Sequence, residues 1–222
     1  MKSFYIIDGH YQIYRAFYGL QQPLSSPTGE PTGATHLFCA MLFGLIRDKK
    51  PDYLAVNPRG KVPVLVEDGG IPICESVAIV EYLDERYPEH PILPGKPEDR
   101  AIARRVAAEV NDYLYLVLRW LLDQTLFRAD GGGDPTLIAA GISDLRRELA
   151  YFEGALHGDY FAGSLSVADF TLYPMLALVK RLHDKQPRHG AGPLIGPRLA
   201  AFMRRIEQLP YFVKTTPPHW RE

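Results

Sequence analysis

A chain of 222 residues is long enough for one large domain or two small ones with real cores. It is 46% hydrophobic and 23% charged, an ordinary globular composition, and its formal net charge of −1 builds in no pull toward nucleic acid or acidic membranes. Two cysteines, Cys39 and Cys74, lie far apart without metal spacing, which fits a reducing compartment and argues against a disulfide scaffold.

The apolar opening is cut short by Asp8, too early for a signal peptide. No apolar stretch reaches membrane-spanning length, so the expectation is a soluble, cytoplasmic protein. The chain has no internal repeat. Residues 3–7 are aromatic and β-branched and read as a strand ending at Asp8-Gly9. Residues 10–18 read as a helix, and 23–33, rich in Pro, Ser, Thr and Gly, as a loop. The apolar stretch 36–46 predicts a helix, with Arg47, Lys49 and Lys50 where the dipole favours them, and Pro51 stops it. Residues 52–56 fit strand and helix equally.

Residues 62–67 and 71–75 are two apolar strands joined through Asp68-Gly69-Gly70, a hairpin signal. Ser76 opens a helix with Ile79, Val80 and Leu83 on one face. Residues 84–97 carry several prolines and read as a linker. The rest reads as helical. Between 100 and 128, Ile102, Val106, Val110, Leu114, Val117, Leu121 and Leu122 recur as an apolar stripe. Gly131-Gly132-Gly133 breaks it, lacking the Lys-Ser/Thr of a phosphate loop. Asp134 as N-cap and Pro135 at the first position start the next helix, whose buried face is Ile138, Ile142, Leu145, Leu149, Phe152 and Leu156. Ser166 and Asp169 have capping-box spacing, Leu165 and Phe170 suit a hydrophobic staple, and Pro174 should kink that helix. Residues 199–209 form a last helix. Strands, a hairpin and a helix followed by helices alone predict a small α/β domain and an all-α domain.

Several of these segments are recognisable. Asn57-Pro58-Arg59-Gly60-Lys61-Val62-Pro63-Val64-Leu65 resembles the loop and third strand of a glutathione transferase. Ile73-Cys74-Glu75-Ser76-Val77-Ala78-Ile79 resembles that family's fourth strand and the start of its third helix, and Glu81-Tyr82-Leu83-Asp84 and Tyr87-Pro88 continue the match. Ser166-Val167-Ala168-Asp169-Phe170 is similar to the family's interior capping box, and Leu209-Pro210-Tyr211-Phe212 and Pro217-Pro218-His219-Trp220 are similar to bacterial members. The resemblance covers 57–222. The first 56 residues differ: Phe4-Tyr5-Ile6-Ile7-Asp8-Gly9-His10, Tyr14-Arg15-Ala16-Phe17-Tyr18, the 27–35 loop and Lys50-Pro51-Asp52-Tyr53-Leu54-Ala55-Val56 resemble the opening of the 5′-nuclease domain of DNA polymerase I. The chain thus reads as a chimera. Residues 51–56 also resemble the stretch before the Asn-Pro loop of transferases, so a crossover there disturbs little downstream.

The resemblance implies a thioredoxin-like N-terminal domain, partly replaced, and an all-helical C-terminal domain. The expected division is a nuclease-like segment at 1–56 docked as the start of the α/β domain, its glutathione-binding remainder at 57–88, a linker at 89–98 and the helical domain at 99–222. If 3–7 takes the first-strand position, it and the 36–46 helix supply a parallel βα start, and 51–56, if extended, a second parallel strand.

The resemblance also implies a glutathione site. Val62-Pro63 is expected to be cis, exposing the Val62 N–H and C=O to pair with the cysteinyl part of glutathione like an added strand; without the resemblance Pro63 reads as an edge-strand proline. Ser76, where a hydroxyl, backbone N–H groups and the helix dipole converge, suits the γ-glutamyl carboxylate, and Glu75 the amine. The local pattern alone reads Ser76 as an N-cap and Glu75 as a solvated residue. Lys61 and Arg59 are candidates for the glycine carboxylate.

The family activates the thiol with a hydroxyl or thiol near the end of its first strand, in the segment replaced here, so that the thiolate attacks an electrophile. Tyr11 and His10 are the candidates, set against a packing role in a nuclease-like helix. Cys39 and Cys74 read as small hydrophobes. Two-metal nuclease chemistry needs several carboxylates; Asp8 supplies one, and residues 1–56 hold five Lys or Arg against four Asp or Glu, no basic groove for DNA. The seven histidines show no zinc spacing. The expected function is glutathione binding with thiol transfer to small electrophiles, no metal, no nucleic-acid or membrane partner, and a homodimer. The alternative is a binding or interaction module of the same fold without turnover.

Overall fold

The computed structural model describes residues 5–6, 51–66, 70–89, 91–128 and 133–215. The predicted helices at 10–18 and 36–46, the loop at 23–33, and His10, Tyr11, Asp8, Cys39 and Pro217–Trp220 lie outside them. Two compact units divide the chain: residues up to His90 together with Pro210 onward, and Pro91–Leu209. The boundary differs from the expected linker at 89–98 and helical domain at 99–222.

In the first unit, Pro51 begins helix α1 (Pro51–Val56), where a missing N–H costs nothing. The choice left open over 52–56 is therefore decided for helix. The Asn57 N–H still donates to the Tyr53 carbonyl at 2.8 Å, and the chain then turns through Gly60 at φ 61°. Strand β1 (Tyr5–Ile6) pairs antiparallel with β2 (Val64–Val66), Tyr5 opposite Val66 and Ile6 opposite Leu65. Strand β3 (Ile73–Cys74) closes the other edge, Val64 opposite Cys74 and Leu65 opposite Ile73. The order is β1-β2-β3, and the described residues contain no parallel pair, contrary to the parallel start considered above. Both hairpin strands begin two residues later than expected, directly after Pro63 and Pro72, which lack the N–H a ladder needs.

Side chains alternate across this sheet with period two. Val64 packs with Tyr53 of α1, joined by Val62, Val66 and Cys74. Leu65 faces the other way, onto Ile79 and Leu83 of helix α2 (Ser76–Arg86), with Ile73, Tyr82 and Tyr87 around them. Helix α2 runs on to Arg86, past the point where a linker was expected.

In the second unit the 91–98 part of the expected linker is partly core: Ile92 and Leu93 are 1% and 2% exposed, and the Ile92 carbonyl accepts from the Val167 N–H at 3.0 Å. The long helical run is α3 (Pro97–Glu109), a π-helical turn over Val110–Leu114, and α4 (Tyr115–Gln124). Its buried face is Ala103, Val106, Ala107, Val110, Leu114, Leu118, Leu121 and Leu122. Ile102 is exposed and Val117 half-buried, so two expected stripe positions are corrected. Ala103, too small to stand out in sequence, replaces the first. The wider π turn carries one residue more than an α turn and brings Leu118 inward in place of the second.

Helix α5 (Pro135–Ala155) starts as expected, with an Asp134 carboxylate oxygen accepting from the Thr136 N–H at 2.7 Å. Ile138, Leu145, Leu149, Phe152 and Leu156 are buried, while Ile142 is half-buried. Gly141 takes the intermediate core position because α4 passes too close for a side chain: a Cβ there would lie 2.7 Å from both Leu121 Cδ2 and Trp120 Cζ3. Gly141→Ala is expected to lower stability by about 1–2 kcal/mol, overpacking outweighing its better helix propensity, as measured by urea unfolding.

Helix α6 (Val167–Lys185) continues through Pro174. After 3₁₀ turns at Pro187–His189 and Gly192–Leu194, helix α7 (Pro197–Glu207) begins two residues before the expected 199. Glu153 of α5 caps it, its two carboxylate oxygens accepting from the Arg198 and Leu199 N–H groups at 2.8 and 2.9 Å. A short helix α8 (Phe212–Thr215) belongs to the first unit. Among the described residues no helix is long and apolar enough to cross a membrane.

Candidate functional site

Among the described residues of the first unit, two unusual backbone features flank the β2–β3 pair. The Val62-Pro63 bond is cis. Glu75, at φ 69° and ψ 121°, is the one non-glycine residue with positive φ among the described residues, a conformation that costs energy and clusters at ligand sites. The β2–β3 register joins the two. Val64 lies opposite Cys74, the last pair of the ladder, so Pro63 directly precedes one member of that pair and Glu75 directly follows the other.

Glu75 occupies the cap position of α2, and no side chain caps that helix. This corrects the reading of Ser76 as an N-cap: Ser76 is the first helical residue, half-buried, its N–H among the first-turn donors. Those donors and the positive helix end suit a carboxylate. Glu75, Arg59 and Lys61 are exposed, and Val62 is half-buried. Lys61, Val62, Pro63, Glu75 and Ser76 therefore gather around the ends of β2 and β3, while Arg59 stands two residues before Lys61 in the loop.

Two residues that sequence reasoning passed over shape the turn. The Tyr53 hydroxyl donates to the Lys61 carbonyl at 2.5 Å, and the Asn57 side-chain amide donates to the same oxygen at 2.7 Å. Asn57 Oδ1 accepts from the Arg59 N–H at 3.0 Å. Burial pushes the Tyr53 hydroxyl pKa up, keeping it a donor. A Tyr and an Asn four residues apart at a helix end, just before a Pro-Xaa-Gly turn, were the available signal. Cys74 packs beside Tyr53, and burial together with the Glu75 charge raises its thiol pKa, in keeping with a small hydrophobe rather than a nucleophile.

The capping box at Ser166 and Asp169 forms in the second unit. Asp169 is fully buried and accepts from the Phe161 N–H at 3.1 Å, the Ser166 N–H at 2.8 Å and the Ser166 hydroxyl at 2.9 Å. Burial pushes its carboxyl pKa up to about 6 against the opposing pull of those donors. It is a structural centre, with no path to a substrate implied.

Comparison with known proteins bears on both units. The family described as glutathione S-transferase, N-terminal domain, matches residues 44–91, and glutathione S-transferase, C-terminal domain, matches 135–205. FtsZ-localized protein A of Caulobacter vibrioides is 34% identical over 147 residues, covering 60% of this chain and 63% of that protein. Glutathione S-transferase Z2 of Arabidopsis thaliana is 30% identical over 173 residues, covering 75% of this chain and 72% of that protein. The chain belongs to the glutathione transferase family. The crystal structure of a glutathione S-transferase from the Antarctic clam Laternula elliptica superposes with a TM-score of 0.64 at 28% identity, over 81% of this chain and 80% of that one. This transferase-family chain thus has a thioredoxin-like N-terminal domain with a short sheet, followed by the all-helical domain. The chain spans slightly less than two thirds of FtsZ-localized protein A. Residues 3–58 also match the 5′-3′ exonuclease, N-terminal resolvase-like domain, overlapping the transferase match over 44–58. The family uses a thiol tripeptide as its substrate.

Proposed function

We propose that this chain binds glutathione where Lys61-Val62-Pro63 meets Glu75-Ser76, and passes its thiol to small electrophiles. The observation that carries the reading is the Val64–Cys74 strand pair, which the cis Val62-Pro63 bond directly precedes on β2 and the strained Glu75, at the uncapped start of α2, directly follows on β3. The γ-glutamyl carboxylate takes the Ser76 hydroxyl and the first-turn N–H groups, and its amine faces Glu75. The cysteinyl part pairs with the Val62 backbone as an added strand. Lys61, with Arg59 near it, receives the glycine carboxylate. Thiol activation falls to the segment before α1, with Tyr11 and His10 as its candidates. The working protein is a cytoplasmic homodimer that needs no metal.

Calorimetric titration with glutathione tests the site. The wild type is expected to bind saturably, and Glu75→Ala and Ser76→Ala each to weaken binding about 10-fold or more, the scale of a charge-assisted hydrogen bond. A folded wild type that takes up no glutathione would overturn the reading.

A second reading is a binding or interaction module without turnover. It is favoured by the exonuclease-like match over 3–58, which falls on the part where transferases carry the thiol activator, and by FtsZ-localized protein A among the relatives. Saturable glutathione binding without turnover of 1-chloro-2,4-dinitrobenzene or other model electrophiles would decide for it.

A further inference from the structure

We infer that Tyr53 and Asn57 are positioning residues that aim the Val62 N–H at the bound tripeptide, an inference that rests on the glutathione reading above. Both are buried polar residues, 5% and 3% exposed, in a small unit where burying them is costly unless their hydrogen bonds are used. They are used on one atom. The Tyr53 hydroxyl and the Asn57 amide converge on the Lys61 carbonyl oxygen, at 2.5 and 2.7 Å, and occupy both of its lone pairs. Asn57 is itself held, because its Oδ1 takes the Arg59 N–H and its backbone carbonyl takes the Gly60 N–H at 2.9 Å. The Tyr53 ring is wedged against Val64 in a cluster with Val62, Val66 and Cys74.

The geometry of a trans peptide supplies the remaining step. Val62-Pro63 is the one cis bond among the described residues, so the peptide group joining Lys61 to Val62 is trans. Its C=O and N–H lie in one plane and point in opposite directions. Pinning the Lys61 oxygen toward the interior therefore turns the Val62 N–H the other way, out from the buried pair and toward the side on which an added strand would run. A single donor would leave that plane free to rock about its neighbouring dihedrals, whereas two donors from the end of one helix fix its tilt. Loop closure alone would need only one of them.

The test uses the full chain and two conservative variants. Tyr53→Phe removes the hydroxyl and keeps the ring. Asn57→Asp removes the donor and keeps the acceptor for the Arg59 N–H. Glutathione affinity is measured by calorimetry, and the Val62 and Ser76 amide resonances are followed by ¹⁵N-correlated spectra during the titration. Each variant is expected to weaken glutathione binding about 3- to 10-fold, the worth of one hydrogen bond. The glutathione-induced shift of the Val62 amide should shrink while that of Ser76, across the site, keeps its wild-type size. Affinity within 2-fold of wild type in both variants, or Val62 and Ser76 responses that fall together, would overturn the inference and leave the glutathione reading standing. A wild type that does not bind glutathione would overturn both. Should Tyr53→Phe fail to fold, the Asn57→Asp comparison decides on the same criteria.

Discussion

Asp169→Ala is expected to lower the unfolding free energy by about 3–4 kcal/mol at pH 7, seen as a large drop in the urea midpoint. Three buried donors converge on this carboxylate, and each loses its acceptor in the variant. A buried donor left unmet costs about 1–3 kcal/mol, offset in part by no longer burying a charge. The box also ties the Phe161 backbone to the start of α6, so its loss reaches beyond one helix end. Asp169 carries a pH signature as well. Its carboxyl pKa is raised in the folded state from 3.8 to about 6, so the folded chain holds the proton more tightly than the unfolded one. Its contribution is fully present below about pH 4 and declines as pH rises through 6, by about 3 kcal/mol in all. Asp169→Asn cannot titrate. The stability difference between wild type and that variant should therefore fall with rising pH over this window, and a flat difference would refute the raised value.

The second large effect is expected at Phe202, where alanine should cost about 3–5 kcal/mol by the same unfolding measurement. The ring is completely buried on α7 and meets Phe161 edge-on, centroids 5.8 Å apart and planes at 83°; Phe161 in turn meets Phe152 at 6.3 Å and 79°. Such pairs add to the burial of their area, and a cavity at one end of the row removes partners from the next ring. Phe161 also donates its N–H to Asp169, so the two substitutions share a residue. The double variant should lose less than the two single losses combined, since Phe161 is already loosened by either. Full additivity would mean that the row and the box act independently.

Much of the second unit could be read from residue types. Asp134-Pro135 and the pairing of Ser166 with Asp169 are local signals, each satisfied within a few residues, and they mark helix starts without any tertiary knowledge. Ile102 misled because the position that is buried there belongs to Ala103, a residue too small to mark an apolar stripe, and Val117 because a periodic stripe assumes 3.6 residues per turn throughout and no residue type announces a π turn. Gly141 was missed for a similar reason: its place in the core depends on how closely α4 passes, which is a property of the packing. At the candidate site, Lys61, Val62, Pro63, Glu75 and Ser76 were singled out through resemblance, and they flank the Val64–Cys74 strand pair in sequence. Tyr53 and Asn57 were not, because their shared acceptor is a backbone carbonyl, and backbone atoms leave no mark in a sequence. The 52–56 stretch was ambiguous by composition, and it became helical through Pro51 at its start and the Tyr53–Asn57 bond at its end.

The π turn at Val110–Leu114 also bears on how this chain can change length. A helix normally tolerates no single-residue deletion, since each residue lost turns everything beyond it by about 100°. Here the surplus residue is already accommodated in one widened turn, closed by the Tyr115 N–H on the Val110 carbonyl. Losing one residue between 110 and 114 would relax that turn to α geometry and leave Val106 on one side and Leu118 on the other still facing the core. The same deletion within a regular α turn, as at Ala107, would turn the apolar residues beyond it away from the core. Relatives that differ from this chain by one residue in this helix are thus expected to carry the gap at this turn.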